Sequence, residues 1–170
     1  MALDRTNMVS LLDIGTLLES AEDLAEMGDG FTELTEDWGP NTDSKQYVNM
    51  KNASNTVKGY ALSMNPSRDC LSDKMQTCID TLFKEFPTGE KCNSYYYRFR
   101  KSDIKNGTGD CIRIPVTVCP SSTGGAGGDT LTSSIQINGN GEVELGTITI
   151  GSDGSFTWKA KTTASANVKE

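Results

Sequence analysis

The sequence predicts a mainly β protein, an antiparallel β-sandwich or partly open barrel with one flanking α-helix and long extended loops or arms. Three observations predict it. From residue 93 onward, period-two runs alternate with turn clusters such as "NGNG" at 138–141 and "GSDG" at 151–154. Only one stretch, 72–86, carries an apolar stripe at helical spacing. A polar, charge-rich stretch at 28–57 is longer than a connection inside a compact domain usually is, and such segments tend to lie on a partner. The 170 residues suit one domain over 1–170, with an arm at 1–10 and a polar tail at 160–170.

The elements follow in order. "MVSLLDIGTLL" at 8–18 reads as a first strand. "ESAEDLAEMGDG" reads as a helical turn or two, ended by Gly28 and Gly30. "FTELTEDW" at 31–38 alternates weakly, as a strand would. "GPNTDSK" at 39–45 has turn chemistry, with Gly and Pro at the bend and Asn and Asp to cap it. Tyr47, Val48, Val57, Tyr60 and Leu62, spaced by polar residues, read as an extended arm or long hairpin leading into a strand.

In the helix, Leu71, Met75, Cys78, Ile79, Leu82, Phe83 and Phe86 fall on one face. Ser72 is the expected N-cap, Asp73 lies in the first turn, and Pro87 and Gly89 stop it. Cys78 on that stripe reads as a small hydrophobe. Beyond it, "SYYYRFRK" puts Tyr95, Tyr97 and Phe99 on one face and Tyr96, Arg98 and Arg100 on the other. "CIRIPVTVC" sends Ile112, Ile114, Val116 and Val118 inward and Arg113 and Thr117 outward. Pro115 has no N–H to give, which predicts an edge or a bulge there. "SSTGGAGGDTL" at 121–131 has no Gly-Lys-Ser/Thr and runs into a strand rather than a helix. It reads as a strand connection, not a phosphate cradle. Gly146 interrupts an alternation and predicts a bulge.

Composition excludes several functions. There is no histidine, so the usual general base is missing. Five cysteines form no CxxC pair, which predicts free thiols rather than a disulfide frame or a structural zinc site. No catalytic group, cofactor or metal ligand is expected, and the expectation is a non-enzyme. No basic-then-apolar leader opens the sequence and no run approaches the ~18 apolar residues of a membrane span. A cytosolic origin is therefore expected.

Net charge is −7, and it is lopsided. Between Thr6 and Ser44 lie ten acidic residues and no Lys or Arg, while residues 45–170 hold 15 basic and 12 acidic ones. A basic stripe for holding nucleic acid is missing. The acidic segment reads as a solvated surface or as one that meets something basic. Opposed exposed pairs are worth about 0–1 kcal/mol each, so they would set register more than affinity.

Several stretches together resemble the major tail tube proteins of tailed bacteriophages, in the branch common in phages of Gram-positive bacteria. They are the opening "MALDRTNMVSLLDIGT", the stretch "MGDGFTELTEDWGPNTDSKQYVNMKNASNTVKGY", "PTGEKC" after the helix, and "GEVELGTITI". Their order and spacing carry the resemblance, which spans nearly the whole chain. It implies a structural role: a β-sandwich with a flanking helix that forms hexameric rings, stacked into the tube through which the genome leaves. A long loop from each ring would reach the next. The implied partners are other copies of the chain, the tape-measure, tail-tip and tail-terminator proteins, and DNA in transient passage without specific binding. No membrane is implied. The implied location is the virion tail, after assembly in the host bacterial cytoplasm. The glycine-rich "STGGAGGD" departs from relatives that often carry acidic residues there. On this reading Glu33, Glu36, Asp37, Asp43 and Tyr47 are candidate interface or lumen residues, with Arg98, Arg100 and Lys101 as the basic side of a subunit contact. Two alternatives stand beside it: a tail terminator or head–tail connector of the same fold, and a monomeric β-sandwich module that binds carbohydrate or a receptor through exposed aromatics such as Trp38 and Trp158.

Overall fold

A computed structural model describes residues 1–161 of the chain. Its elements are β1 (Met8–Asp13), α1 (Ile14–Leu17), β2 (Leu24–Glu26), β3 (Phe31–Glu33), β4 (Asn41–Lys45), β5 (Ser54–Gly59), β6 (Ser63–Met64), β7 (Ser67–Asp69), α2 (Lys74–Glu85), β8 (Asn93–Arg100), β9 (Thr108–Gly124), β10 (Thr132–Gly139), β11 (Glu144–Ile150) and β12 (Phe156–Ala160). Ten strands form one antiparallel sheet, curled into a half-barrel, and β4 and β5 form a separate hairpin.

The 17-residue strand β9 organises the sheet. Its first half pairs with β11, which pairs in turn with β12. Its second half pairs with β10, which continues through β7 to β3. On its other side β9 pairs with β8, then β1, then β2. Pro115 therefore lies in an inner strand, not at an edge or bulge as the sequence predicts. Its carbonyl accepts from Asn140 N at 2.8 Å. The N and O of one strand residue point the same way, so its missing N–H falls where β10 hands over to β11, and no ladder bond is lost.

Both faces of the central strands are buried. One core holds Leu12, Tyr96, Ile114, Val116, Val118, Ile135 and Ile137 under Met75, Cys78, Ile79 and Leu82 of α2. The other holds Val9, Leu11, Leu24, Tyr97, Phe99, Cys111 and Ile148, with Phe156 and Trp158 packed against them. The predicted alternation of β8 holds, but the Tyr96 face is as closed as the Tyr97 face: both tyrosines are 0% exposed. Burying apolar surface on both sides of one sheet is the main stabilising term, at about 25 cal/mol per Å².

Local chemistry relocates several predicted elements. The helical turn expected within 19–30 lies at α1. Asp13 is buried, and its carboxylate accepts from Thr16 N at 3.1 Å and Asp23 N at 3.2 Å, capping the turn at Ile14 and holding its return. The acidic stretch after it supplies β2 instead. Strand character ends at Asp13, so 8–18 is half strand and half turn. The arm is shorter than 1–10, because β1 begins at Met8 in register with Arg100. "GPNTDSK" is not a turn beyond Pro40. Asn41–Lys45 is one side of the hairpin, with its bend at 46–53. Helix α2 is capped by Asp73 rather than Ser72, through Gln76 N at 2.8 Å. Its ends leave the stripe: Leu71 and Phe86 are exposed, and Phe86 adopts a left-handed C-cap with φ +46°. Gly146 marks no bulge, since β11 keeps register through it. A side chain there would meet the Lys159 carbonyl oxygen and, at 2.5 Å, Trp158 Cε2, so the glycine makes room for the β12 backbone as well as the indole. The sheet's register shifts lie between Ser134 and Ile135 and, at β3, between Phe31 and Glu33. The glycine-rich loop joins β9 to β10, as predicted. Among the described residues all five cysteines are free. The tail prediction at 160–170 meets the structure only at Ala160 and Lys161; the rest lies outside the described residues.

Candidate assembly surfaces

Among the described residues the hairpin β4–β5 pairs with no other strand. Its strand residues are exposed almost throughout, with the pattern broken only at Asp43 and Gly59. It nevertheless carries large apolar side chains. Val48 is 110% exposed at its bend, Tyr47 64%, Val57 52%, and Tyr60 at its foot 67%. An isolated two-stranded hairpin is marginal in water. Apolar side chains left in water at its tip and foot make it a candidate interaction surface.

The hairpin's feet are fixed to the body. Asp37 and Ser63 exchange backbone hydrogen bonds at 3.1 and 2.7 Å, and Ala61 N donates to Trp38 O at 2.8 Å. Beside them sits Glu36. Its carboxylate accepts from Tyr96 Oη at 2.7 Å and from Trp38 Nε1 at 3.1 Å, and Arg98 Nε lies 3.4 Å away. The Glu36 side chain is 7% exposed. Burial of the Tyr96 phenol, with the Glu36 charge beside it, pushes its pKa well above that of a free tyrosine, so it stays a donor. This is a buried carboxylate with the partners it needs.

The structure thus separates the eight predicted residues. Glu36 and Arg98, expected on opposite sides of a subunit contact, meet within one chain. Asp43 also pairs internally, with Lys58 at 3.1 Å across the hairpin. Glu33 accepts from Thr35 Oγ1 at 3.2 Å and Asp37 from Gly39 N at 3.0 Å, each in the exposed segment below the hairpin. Tyr47 is at the hairpin bend. Arg100 and Lys101 are exposed at the end of β8, and neither forms an ion pair among the described residues. Lys101 borders an apolar groove formed by Val9, Phe99, Ile104, Ile150 and Phe156.

Two clusters were not legible from residue spacing. Arg68 is 1% exposed and grips Asp73 through both carboxylate oxygens at 3.1 and 2.7 Å, while Nη2 also donates to Asp29 O at 3.2 Å. Its guanidinium lies 5.2 Å from the Phe31 ring. Gly30, at φ +83°, keeps the backbone clear of it. Arg113 lies between the Tyr95 and Trp158 rings, 4.5 and 4.0 Å from their centroids, and pairs with Glu144. Burial works to lower the Arg113 pKa, and the hydrogen bonds and charge of Glu144 help hold it above its ordinary value instead. Trp38 and Trp158 are therefore engaged inside the chain and offer no open aromatic platform. The one advance signal was Arg113 on the outward face of a strand whose neighbours carry aromatics.

No family model matches the chain, and no curated protein matches it. Solved structures do. A chain in the tail of an empty gene transfer agent particle with C6 symmetry is similar at a TM-score of 0.60 and 9% identity, covering 85% of this chain and 98% of that one. A chain at the sheath/tube terminator of an extracellular contractile injection system in its extended state gives 0.54 and 7%, covering 85% and 96%. The tube-terminating cap of the anti-feeding prophage gives 0.51 and 11%, covering 85% and 91%. At these identities the likeness is one of fold.

Proposed function

We propose that this chain is a non-enzymatic structural subunit of a phage-like tail, assembling into hexameric rings that stack into the tail tube and conduct DNA during ejection. One observation carries the reading: a domain with two closed cores holds out a hairpin whose Tyr47, Val48, Val57 and Tyr60 are exposed. A copy in solution leaves that surface wet, and a second copy covers it. The fold shared with a chain of a six-fold symmetric tail supports the stoichiometry.

On this reading Glu33, Asp37, Asp43, Tyr47, Arg100 and Lys101 face a neighbouring subunit or the bore. The tape-measure, tail-tip and terminator proteins are the neighbours, and the virion tail, assembled in the host cytoplasm, is the location. The net charge of −7 suits a conduit, because phosphate is held by Lys and Arg and a conduit must release what passes. The test is sizing of the purified protein across concentration, followed by negative-stain microscopy. Rings or tubes that grow with concentration are expected. Separate small particles at every concentration and ionic strength would end the proposal.

The similarity to a tube-terminating cap favours a second reading, a terminator of the same fold. It predicts single rings that do not stack and a copy number of one ring per particle.

A further inference from the structure

Three Asn-Gly bonds occur in the chain, at Asn106-Gly107, Asn138-Gly139 and Asn140-Gly141. In this pair the side-chain amide is open to attack by the next backbone nitrogen. Glycine has no Cβ to block the approach, and it has the widest choice of backbone angles. The fold treats the three bonds differently. Asn138-Gly139 closes β10, where Asn138 pairs with Thr117 on one side and Ser63 on the other, and Gly139 N donates to Leu62 O at 2.9 Å. That nitrogen is spent, and two strands hold the backbone extended. At Asn140-Gly141, Asn140 N donates to Pro115 O at 2.8 Å and the side-chain amide donates to Asn93 Oδ1 at 3.3 Å, so the amide is tied down.

Asn106-Gly107 carries none of these restraints. It is the centre of a two-residue turn, closed by Lys105 N to Thr108 O at 2.9 Å and Thr108 N to Lys105 O at 3.1 Å. Asn106 is exposed, and among the described residues neither its side chain nor the Gly107 N–H has a hydrogen-bond partner. The turn is also preset for ring closure. Asn106 and Gly107 have φ of +53° and +77°, the signs of a type I′ turn. Asn138 and Asn140 do not share the positive φ. Rotating only the central peptide converts type I′ into type II′, in which Asn106 keeps its φ while its ψ swings to about −120°. The two bonds between Lys105 and Thr108 survive that rotation, and Gly107 accepts its new angle without strain. At that ψ the Gly107 nitrogen comes round to Asn106 Cγ.

We propose that Asn106 is a self-modifying site, which converts through a succinimide to aspartate and isoaspartate while the protein stays folded. The Gly107 nitrogen attacks Asn106 Cγ. A new C–N bond forms, the bond from Cγ to the side-chain nitrogen breaks, and that nitrogen leaves with the Gly107 proton as ammonia. Water then adds to one of the two ring carbonyls and opens the ring. Opening at Cγ restores the main chain and leaves aspartate. Opening at the main-chain carbonyl leaves isoaspartate, with the main chain routed through the side chain. Only water is consumed. Either product adds a carboxylate next to Lys105 in a protein already at −7. Isoaspartate also lengthens the main chain beside the point where Gly107 O accepts from Ile150 N at 2.8 Å, so it loosens the tie between the turn and β11. The inference stands apart from the assembly reading and does not depend on it.

The test ages the full-length protein in mildly alkaline buffer, beside the same protein in urea, and maps digests of both by mass spectrometry. In the folded protein Asn106 is expected to show the amide-to-acid mass gain first, with isoaspartate among its products, while Asn138 and Asn140 lag. In urea that lead is expected to vanish, because only the fold separates the three bonds. Asn106→Gly keeps the left-handed turn and removes the amide. Its folded form is expected to lose the earliest acidic band seen on isoelectric focusing of the aged wild type. Reaction at Asn138 or Asn140 before Asn106 in the folded protein overturns the inference. So does an Asn106 that stays intact in the folded protein after the urea sample has reacted. A lead that persists unchanged in urea, or an acidic band that persists in Asn106→Gly, overturns it as well.

Discussion

Tyr96 Oη donates to Glu36 Oε1 at 2.7 Å across 60 positions of sequence, joining the floor of one core to the base of the projecting hairpin. The same hydroxyl lies 2.9 Å from Ser10 Oγ. Three segments distant in sequence thus meet at one buried oxygen.

Tyr96→Phe keeps the ring and removes that donor. The carboxylate then retains only Trp38 and Arg98. A loss of about 1–3 kcal/mol is expected, the usual cost of leaving a buried polar group short of a partner. Denaturant unfolding measures it. Retained stability would show that water replaces the phenol at no cost.

The Arg68–Asp73 pair predicts an acid response. The Arg68 guanidinium beside Asp73 holds its carboxyl below the usual carboxylate range. A lowered native pKa stabilises the fold above the unfolded value, near 3.8, and the gain is lost as pH falls through the lower native value. Asp73→Asn should flatten the dependence of stability on pH below about 4. Parallel curves for the two proteins over that window would contradict the assignment.

Gly146→Ala tests the indole seat. The added Cβ meets the Lys159 carbonyl oxygen, which is fixed in the strand, and Trp158 Cε2 at 2.5 Å, where Arg113 already lies over the ring. A loss of about 1–3 kcal/mol is expected, as for an overpacked core. Tryptophan emission should shift with it.

Thiol labelling at pH 8 distinguishes two groups of cysteines. Burial pushes the Cys78 and Cys111 thiols up to about 12, so the native protein presents almost no thiolate there. Half-buried Cys70 and Cys119 should alkylate first. Mass spectrometry of a time course checks the order. Early modification of Cys78 would mean that α2 lifts from the sheet.

At the hairpin bend, Val48→Asp with Tyr47→Ser should leave stability within about 0.5 kcal/mol, because neither side chain is buried in the chain. Assembly should be lost. Sedimentation with thermal unfolding separates the two effects.

The sequence made the β-rich second half legible because its strands obey a strict two-residue period, and that period survives burial on both faces. Helix α2 was legible from its stripe, but not to its ends. Caps are decided by single side chains, and Asp73 competes with Ser72 for the same N–H groups. The first sixty residues were read in part: strands beginning at Met8 and Phe31 and a long hairpin leading into a strand were placed, but their bounds and the strands β2 and β4 were not. β2 has three residues, too few for any period, and the strand β4 was hidden by residues that favour turns, Asn41, Asp43 and Ser44. The candidate residues were found by charge, which locates exposed groups but says nothing of intrachain partners. Glu36 was therefore grouped with Glu33, although one is buried on a tyrosine and the other is wet.

Leu12 and Tyr96 stand opposite each other in the β1–β8 ladder, yet 84 positions separate them in the chain. At about 5–20 residues per second, a ribosome needs roughly 4–17 seconds to deliver the second after the first. During that interval the stretch from Val9 to Leu12 has only the three-residue β2 to pair with, and one of its flanks stays open. The ten carboxylates and absent cations of that quarter of the chain keep it hydrated and mutually repelled while it waits. Seen from the nascent polypeptide, a run of like charges favours keeping the first strand in solution until the strand it lies against has been made.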